Sequence, residues 1–197
     1  MTLLEELNCK GYVILDDFFT DMTCLQMRDF ASSIEEECDY YGDYRTIDFD
    51  CNNSPFGMKP FAEEHVLPRI DFIEGLNYFR SWATVYDFEG NGVPIHGDDS
   101  DINVNIWITP DESIIDKERN GLIIYDAMPN EGDTWESYNR DREYGKRLTE
   151  GRPRTIIPYK YNRAVVFLGR QLHKTDGVKT LEGIDHHRIN YTFLFNW

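Results

Sequence analysis

From residue 82 onward the chain falls into short strand-like runs, several of them alternating with period two, separated by Gly, Asn or Pro. Trp82–Phe88 ends at the turn Glu89-Gly90-Asn91-Gly92, Asn103–Thr109 stops at Pro110, and Gly121–Tyr125 follows Asn120. Thr155–Ile157, Arg163–Leu168 and Ile189–Phe195 complete the set. Alternation with period two sends successive side chains to opposite faces, so Trp82–Phe88, Asn103–Thr109 and Ile189–Phe195 read as strands with two faces, while Leu122–Tyr125 and Ala164–Leu168 are short apolar runs of strand length. Short strands separated by turn residues pair antiparallel.

The first part of the chain reads differently. Met1-Thr-Leu-Leu-Glu-Glu-Leu7 predicts a short amphipathic helix, and Gly11–Phe19 predicts a strand rich in β-branched and aromatic residues. Thr20 or Asp21 then caps a helix to about Glu37, with Met22, Leu25, Met27, Phe30 and Ile34 on one face. Two more helices are predicted over Phe61–His65 and Asp71–Tyr78, with His65 on a helix surface. Helices first and seven or eight strands after them imply a mainly β fold, closed or double-sheet and antiparallel, with flanking helices outside. The 197 residues suit one domain, with 1–80 as an N-terminal strand and supporting helices and 81–197 as the β core.

Twenty basic against 36 acidic residues give a net charge of −16, which repels phosphate backbones and makes nucleic acid a poor partner. No apolar run approaches the ~18 residues of a membrane span. Cys9, Cys24, Cys38 and Cys51 form no C-x-x-C pair. They read as reduced structural thiols in a cytoplasmic setting.

The chemistry centres on Ile95-His96-Gly97-Asp98. In extended backbone, residues i and i+2 share a face, so the His96 imidazole and the Asp98 carboxylate converge. A metal ion is the usual reason to converge those groups, although a lone H-x-D is weak evidence. His173, after the apolar strand Ala164–Leu168 and the turn Gly169-Arg170, is the best-placed third ligand; His186 and His187 are alternatives. Two imidazoles and one carboxylate would give Fe(II) three protein ligands and three open positions.

The final strand has one apolar face, Ile189, Tyr191, Phe193, Phe195 and Trp197. Its other face is Arg188, Asn190, Thr192, Leu194 and Asn196. If the apolar face packs on the helices, Arg188 points into the barrel, where a guanidinium is costly unless it meets an anion such as a dicarboxylate co-substrate. The alternative is a solvent-facing polar side on an edge strand.

These motifs together resemble the Fe(II)- and 2-oxoglutarate-dependent dioxygenase superfamily, over nearly the whole chain. The pattern is H-x-D, then a distal His, then an Arg ten to twenty residues on: His96-Gly-Asp98, His173 and Arg188. Gly11–Phe18 is also similar to the opening strand of prolyl-hydroxylase-like and phytanoyl-type members. The resemblance implies a double-stranded β-helix (jelly roll, cupin-like). It makes His96, Asp98 and His173 ligands of Fe(II), and Arg188 the partner of the distal carboxylate of 2-oxoglutarate. Arg188-Ile-Asn190-Tyr-Thr-Phe is similar to the R-x-N-x-T-F of the nucleic-acid-dealkylating branch, where the Asn also touches the co-substrate. That branch has a second Arg where this chain has Leu194, which argues against nucleic acid repair. Tyr86 matches the spacing of a co-substrate-binding tyrosine, or else fills the barrel; Asn105 is a further candidate lining residue. The implied activity is O₂-dependent hydroxylation of a peptide, amino acid or small metabolite, coupled to conversion of 2-oxoglutarate to succinate. The competing readings are a non-catalytic metal-binding jelly-roll module and a cupin-type enzyme without 2-oxoglutarate. The aromatic segment 39–60 and the charged segment 128–153 are the expected recognition elements, because both leave the barrel.

Overall fold

A computed structural model describes residues 1–34, 38–50, 57–87 and 89–197. The strands are β1 Tyr12–Leu15, β2 Asp39–Tyr40, β3 Arg45–Asp48, β4 Asn77–Tyr86, β5 Ile102–Trp107 and β6 Leu122–Tyr125. Then come β7 Arg154–Ile157, β8 Arg163–Leu168, β9 His173–Thr175 and β10 Arg188–Asn196. The helices are α1 Leu3–Lys10, α2 Asp21–Ser33, α3 Lys59–Phe61, α4 Trp135–Asn139 and α5 Arg142–Thr149. Seven strands form one sheet in the order β1-β8-β5-β10-β4-β3-β2, and three form a second in the order β7-β6-β9. Every pairing is antiparallel.

Period-two alternation decides what lies on each side of the large sheet. Ile102, Val104 and Ile106 of β5, Ala164 and Val166 of β8, and Ile189, Tyr191, Phe193 and Phe195 of β10 join Cys24, Met27 and Ala31 of α2 in the main core. The four β10 side chains are almost fully buried, each stabilising the fold by about 1.5–3 kcal/mol. The Tyr191 hydroxyl donates to the Met27 carbonyl at 2.8 Å, which ties α2 to the centre of the sheet. The opposite face meets the small sheet. Trp107, Val165 and Phe167 pack there against Leu122, Ile124 and Ile157 in a second core. The rest of the inter-sheet space contains a cavity of about 440 Å³ lined from both sheets. The fold is the two-sheet jelly roll expected from sequence.

Several local expectations change. Asp71–Tyr78 is not a helix: residues 71–76 are turns, and Asn77 and Tyr78 already belong to β4, because β10 extends far enough to pair with them. Phe61–His65 divides between the short α3 and a π-turn over Ala62–Val66; the His65 ring is half-exposed and lies against Phe61. Segment 39–60 is not all loop, since β2 and β3 extend the large sheet. Its Cys51 and Phe56, the predicted helix end at Glu37, and Phe88 lie outside the described residues. Segment 128–153 does not stay outside the core: Tyr138 is buried with Ile123, Tyr125 and Leu172. His173 opens a strand rather than a loop. Trp197, assigned to the apolar face of the last strand, is mostly exposed beyond its end. Cys24 is buried and Cys9 exposed. Among the described residues, no helix is long and apolar enough to cross a membrane.

Candidate metal centre and its cavity

His96 and His173 are paired backbone to backbone, each N–H donating to the other's carbonyl at 2.9 Å. The link bridges the segment after the Gly90–Gly92 turn to β9. Gly92 makes the approach possible, with φ +63° and a position where a Cβ would lie 2.7 Å from the Thr175 side chain. Gly97 is small for a related reason: a Cβ there would meet the Arg170 carbonyl at 2.8 Å. The glycine between the two candidate ligands therefore lets the motif lie against the 169–171 turn, where Asp98 N–H donates to the Gly169 carbonyl at 2.8 Å.

One candidate ligand atom from each of His96, Asp98 and His173 lies within 4.8 Å of the other two. The imidazoles have fixed roles. Nδ1 of His96 faces the Pro94 carbonyl and Nδ1 of His173 the Gln171 carbonyl, both at 2.8 Å. A carbonyl only accepts, so each Nδ1 carries a proton and Nε2 is the ring atom each imidazole has left to offer a metal. Asn103 donates through Nδ2 to Oδ2 of Asp98, orienting the carboxylate.

Electrostatics make the triplet a site for a cation. Burial pushes the Asp98 carboxyl above its ordinary range, against the opposing pull of His96 and the Asn103 hydrogen bond. Burial, with the neighbouring His96, holds His173 well below the usual imidazole value. The 3.6 Å approach of His173 Nε2 to Asp98 Oδ2 is therefore an approach of a neutral ring, and the carboxylate is left without a compensating positive charge there. Two imidazole nitrogens and one carboxylate fit a divalent transition metal and leave positions open.

Arg188 lies in the same cavity and is only 2% exposed. Its Nε donates to the Asn120 carbonyl at 2.7 Å and Nη1 to Asn190 Oδ1 at 2.9 Å. Its guanidinium carbon lies 4.7, 5.7 and 5.8 Å from the ring centroids of Tyr86, Tyr159 and Trp107. Rings offset part of the desolvation of a cation, but among the described residues no carboxylate lies within ion-pair distance. Tyr86 is opposite Arg188 in the β4–β10 register, and its hydroxyl is 2.9 Å from Thr175 Oγ1. Asn105 donates to Thr192 Oγ1 at 2.9 Å. All seven residues singled out from sequence thus line one cavity. His186 and His187 do not join the triplet: His186 Nδ1 faces the Ser113 hydroxyl at 2.9 Å, and His187 Nδ1 lies 3.2 Å from Asp87.

Sequence reasoning missed two residues. Asn103 could have been found, because it shares the face of Asn105 two positions along β5. Asn139 had no such signal. From the charged segment it accepts from Gly97 N–H at 3.1 Å and donates to the Gly97 carbonyl at 2.7 Å, holding the peptide between the candidate ligands. Asn139→Ala should weaken divalent-metal binding about tenfold while leaving the protein folded, as read by Ni(II) calorimetry and far-ultraviolet circular dichroism.

This jelly roll, with a His–Asp–His triplet in its cavity, has the architecture of non-heme enzymes that use iron and 2-oxoglutarate. The non-heme alpha-ketoglutarate-dependent epimerase SnoN from nogalamycin biosynthesis superposes with TM-score 0.72 at 12% identity, over 98% of this chain and 81% of that one. HygX from Streptomyces hygroscopicus, with nickel and 2-oxoglutarate bound, gives TM-score 0.64 at 13% identity over 99% and 87%. A 2OG-Fe(II) oxygenase-family oxidoreductase from Burkholderia pseudomallei gives 0.60 at 12% identity over 98% and 87%. The shared property is the fold. No protein-family model and no curated protein matches the sequence.

Proposed function

We propose that the protein is an Fe(II)- and 2-oxoglutarate-dependent oxygenase that hydroxylates a small molecule. The observation that carries this reading is Arg188: a buried guanidinium with no carboxylate partner among the described residues, facing the same cavity as the His–Asp–His triplet. A metal site alone does not require that cation. A metal site that must also hold a dicarboxylate does.

His96, Asp98 and His173 would hold the iron, with the two Nδ1–carbonyl contacts and Asn103 setting the direction of their ligand atoms. Arg188 would take the distal carboxylate of 2-oxoglutarate through N–H groups not engaged by Asn120 and Asn190. Asn190 keeps the guanidinium oriented, and the Tyr86–Thr175 hydroxyl pair offers a further donor. The apolar wall formed by Leu122, with Trp107 and Phe167 behind it, excludes water from the inner end. When bound, the iron and co-substrate supply the O₂-dependent oxidising power that breaks a C–H bond, converting 2-oxoglutarate to succinate and CO₂. No side chain is required as a general acid or base.

The HygX fold also accommodates hygromycin B, and SnoN is an epimerase, so a small-molecule substrate and C–H cleavage agree with what this architecture hosts. Anaerobic calorimetry with Fe(II) should show 2-oxoglutarate binding. Aerobic incubation should then release succinate and CO₂ in equal amounts, with oxygen incorporated into an added substrate. Failure of 2-oxoglutarate to bind in the presence of Fe(II) sinks the reading.

A further inference from the structure

The outer part of the cavity carries features that the triplet and Arg188 leave unexplained. Tyr41, Phe79 and Trp135 line it yet remain 53%, 48% and 42% exposed. Exposed aromatic rings converging on one cavity form an apolar surface suited to a flat or ring-shaped occupant. At about 440 Å³ the cavity has the capacity for a small molecule.

The charge there is one-sided. In the inner site a dication, a dicarboxylate, Asp98 and Arg188 cancel. Farther out, Arg80 pairs with Asp48. Asp39 and Asp99 line the same cavity, are exposed, and make no ion pair with any described residue. Lys146 and Lys174 line a neighbouring cavity that shares Tyr41, Tyr44 and Val93, and neither lines this one. Two carboxylates on a chain of net charge −16 bias the opening toward cations.

Asn103 adds a buried acceptor. It is 1% exposed and lines the cavity; its Nδ2 donates to Asp98, and its Oδ1 has no partner. The amide orientation follows from chemistry, since a carboxylate accepts only from the NH₂ side. A buried carbonyl oxygen without a donor costs free energy until a ligand N–H or O–H reaches it.

We infer that the substrate is a small ring compound carrying a protonated amine. Its ring lies against Tyr41, Phe79 and Trp135, the field of Asp39 and Asp99 around the opening favours its ammonium group, and Asn103 Oδ1 accepts one of its N–H or O–H groups. This names the substrate class of the site proposed above and rests on that reading for the reaction, but the opening's charge and rings belong to the chain itself.

The test compares benzylamine with benzyl alcohol, which share a ring and differ in charge. Binding is followed by ligand-observed nuclear magnetic resonance titration, with Ni(II) and 2-oxoglutarate present and again with the metal-free protein. The amine should bind at least about tenfold more tightly than the alcohol in both states. The double variant D39N/D99N should lose that preference and keep its affinity for Ni(II) and 2-oxoglutarate, and Trp135→Ala should weaken both probes alike. Equal binding of the two probes overturns the inference, as does a preference that survives D39N/D99N. Failure of 2-oxoglutarate to bind overturns the proposed reaction instead, while the probe comparison on metal-free protein still decides the substrate class.

Discussion

Arg188→Met is expected to raise the dissociation constant for 2-oxoglutarate by roughly 30- to 5,000-fold, equivalent to about 2–5 kcal/mol. The affinity of the triplet for Ni(II) should change far less. The size follows from burial: at 2% exposure, a co-substrate carboxylate deprived of the guanidinium is itself left in a poorly solvated place. Arg188→Lys should fall between, because an ammonium keeps the charge but loses the planar fork. Calorimetry in the presence of Ni(II) separates the two effects. Equal losses of metal and co-substrate binding would show that Arg188 only supports the fold. An unchanged 2-oxoglutarate affinity in a folded variant would favour a metal site of the cupin type instead.

Asp98→Asn should have opposite effects on the two states of the protein. In the metal-free protein, burial holds the Asp98 carboxyl above its ordinary value, so the folded state binds the proton more tightly than the unfolded chain. Asp98 thus supports folding at acid pH, and that support is lost as pH rises through the raised value. At neutral pH the carboxylate is a cost, and Asn, which cannot ionise, removes it. The metal-free variant should melt higher than the parent, by roughly 2–4 °C for each kcal/mol recovered. With Ni(II) at a hundredfold excess over its dissociation constant, the parent should gain about 5–10 °C. The variant should gain almost nothing, because its metal affinity falls at least about 100-fold. Thermal melts with and without Ni(II) at pH 7 read both signs. A metal-free variant that melts lower than the parent would contradict the account of Asp98 as a buried charge whose desolvation outweighs the pull of His96 and Asn103.

The last strand shows how much was legible beforehand. Alternation from Arg188 to Phe195 was enough to place Ile189, Tyr191, Phe193 and Phe195 on the helix side and Arg188, Asn190 and Thr192 on the other, because strand geometry admits no third direction. The same rule brought His96 and Asp98 to one face. Asn103 obeys it too, two positions from Asn105 on the same face of β5. Local patterns misled where pairing decided the outcome: Asp71–Tyr78 has helical spacing, but its last two residues extend β4 against β10.

By itself, the sequence determined the alternating faces of the strands, the acidic character of the chain and the identity of the residues that could bind a metal and an anion. Those are local properties, set by backbone period and side-chain chemistry. Tertiary structure decided that His96 and His173 form a backbone pair across a gap of 77 positions, that Asn139 holds the peptide between His96 and Asp98, and that Tyr41, Phe79, Trp135, Asp39 and Asp99 share the cavity with them. Contacts of that kind come from how strands register across two sheets and how glycines permit close approach. No repeat or spacing along the chain encodes them, because they depend on which segments the fold brings face to face.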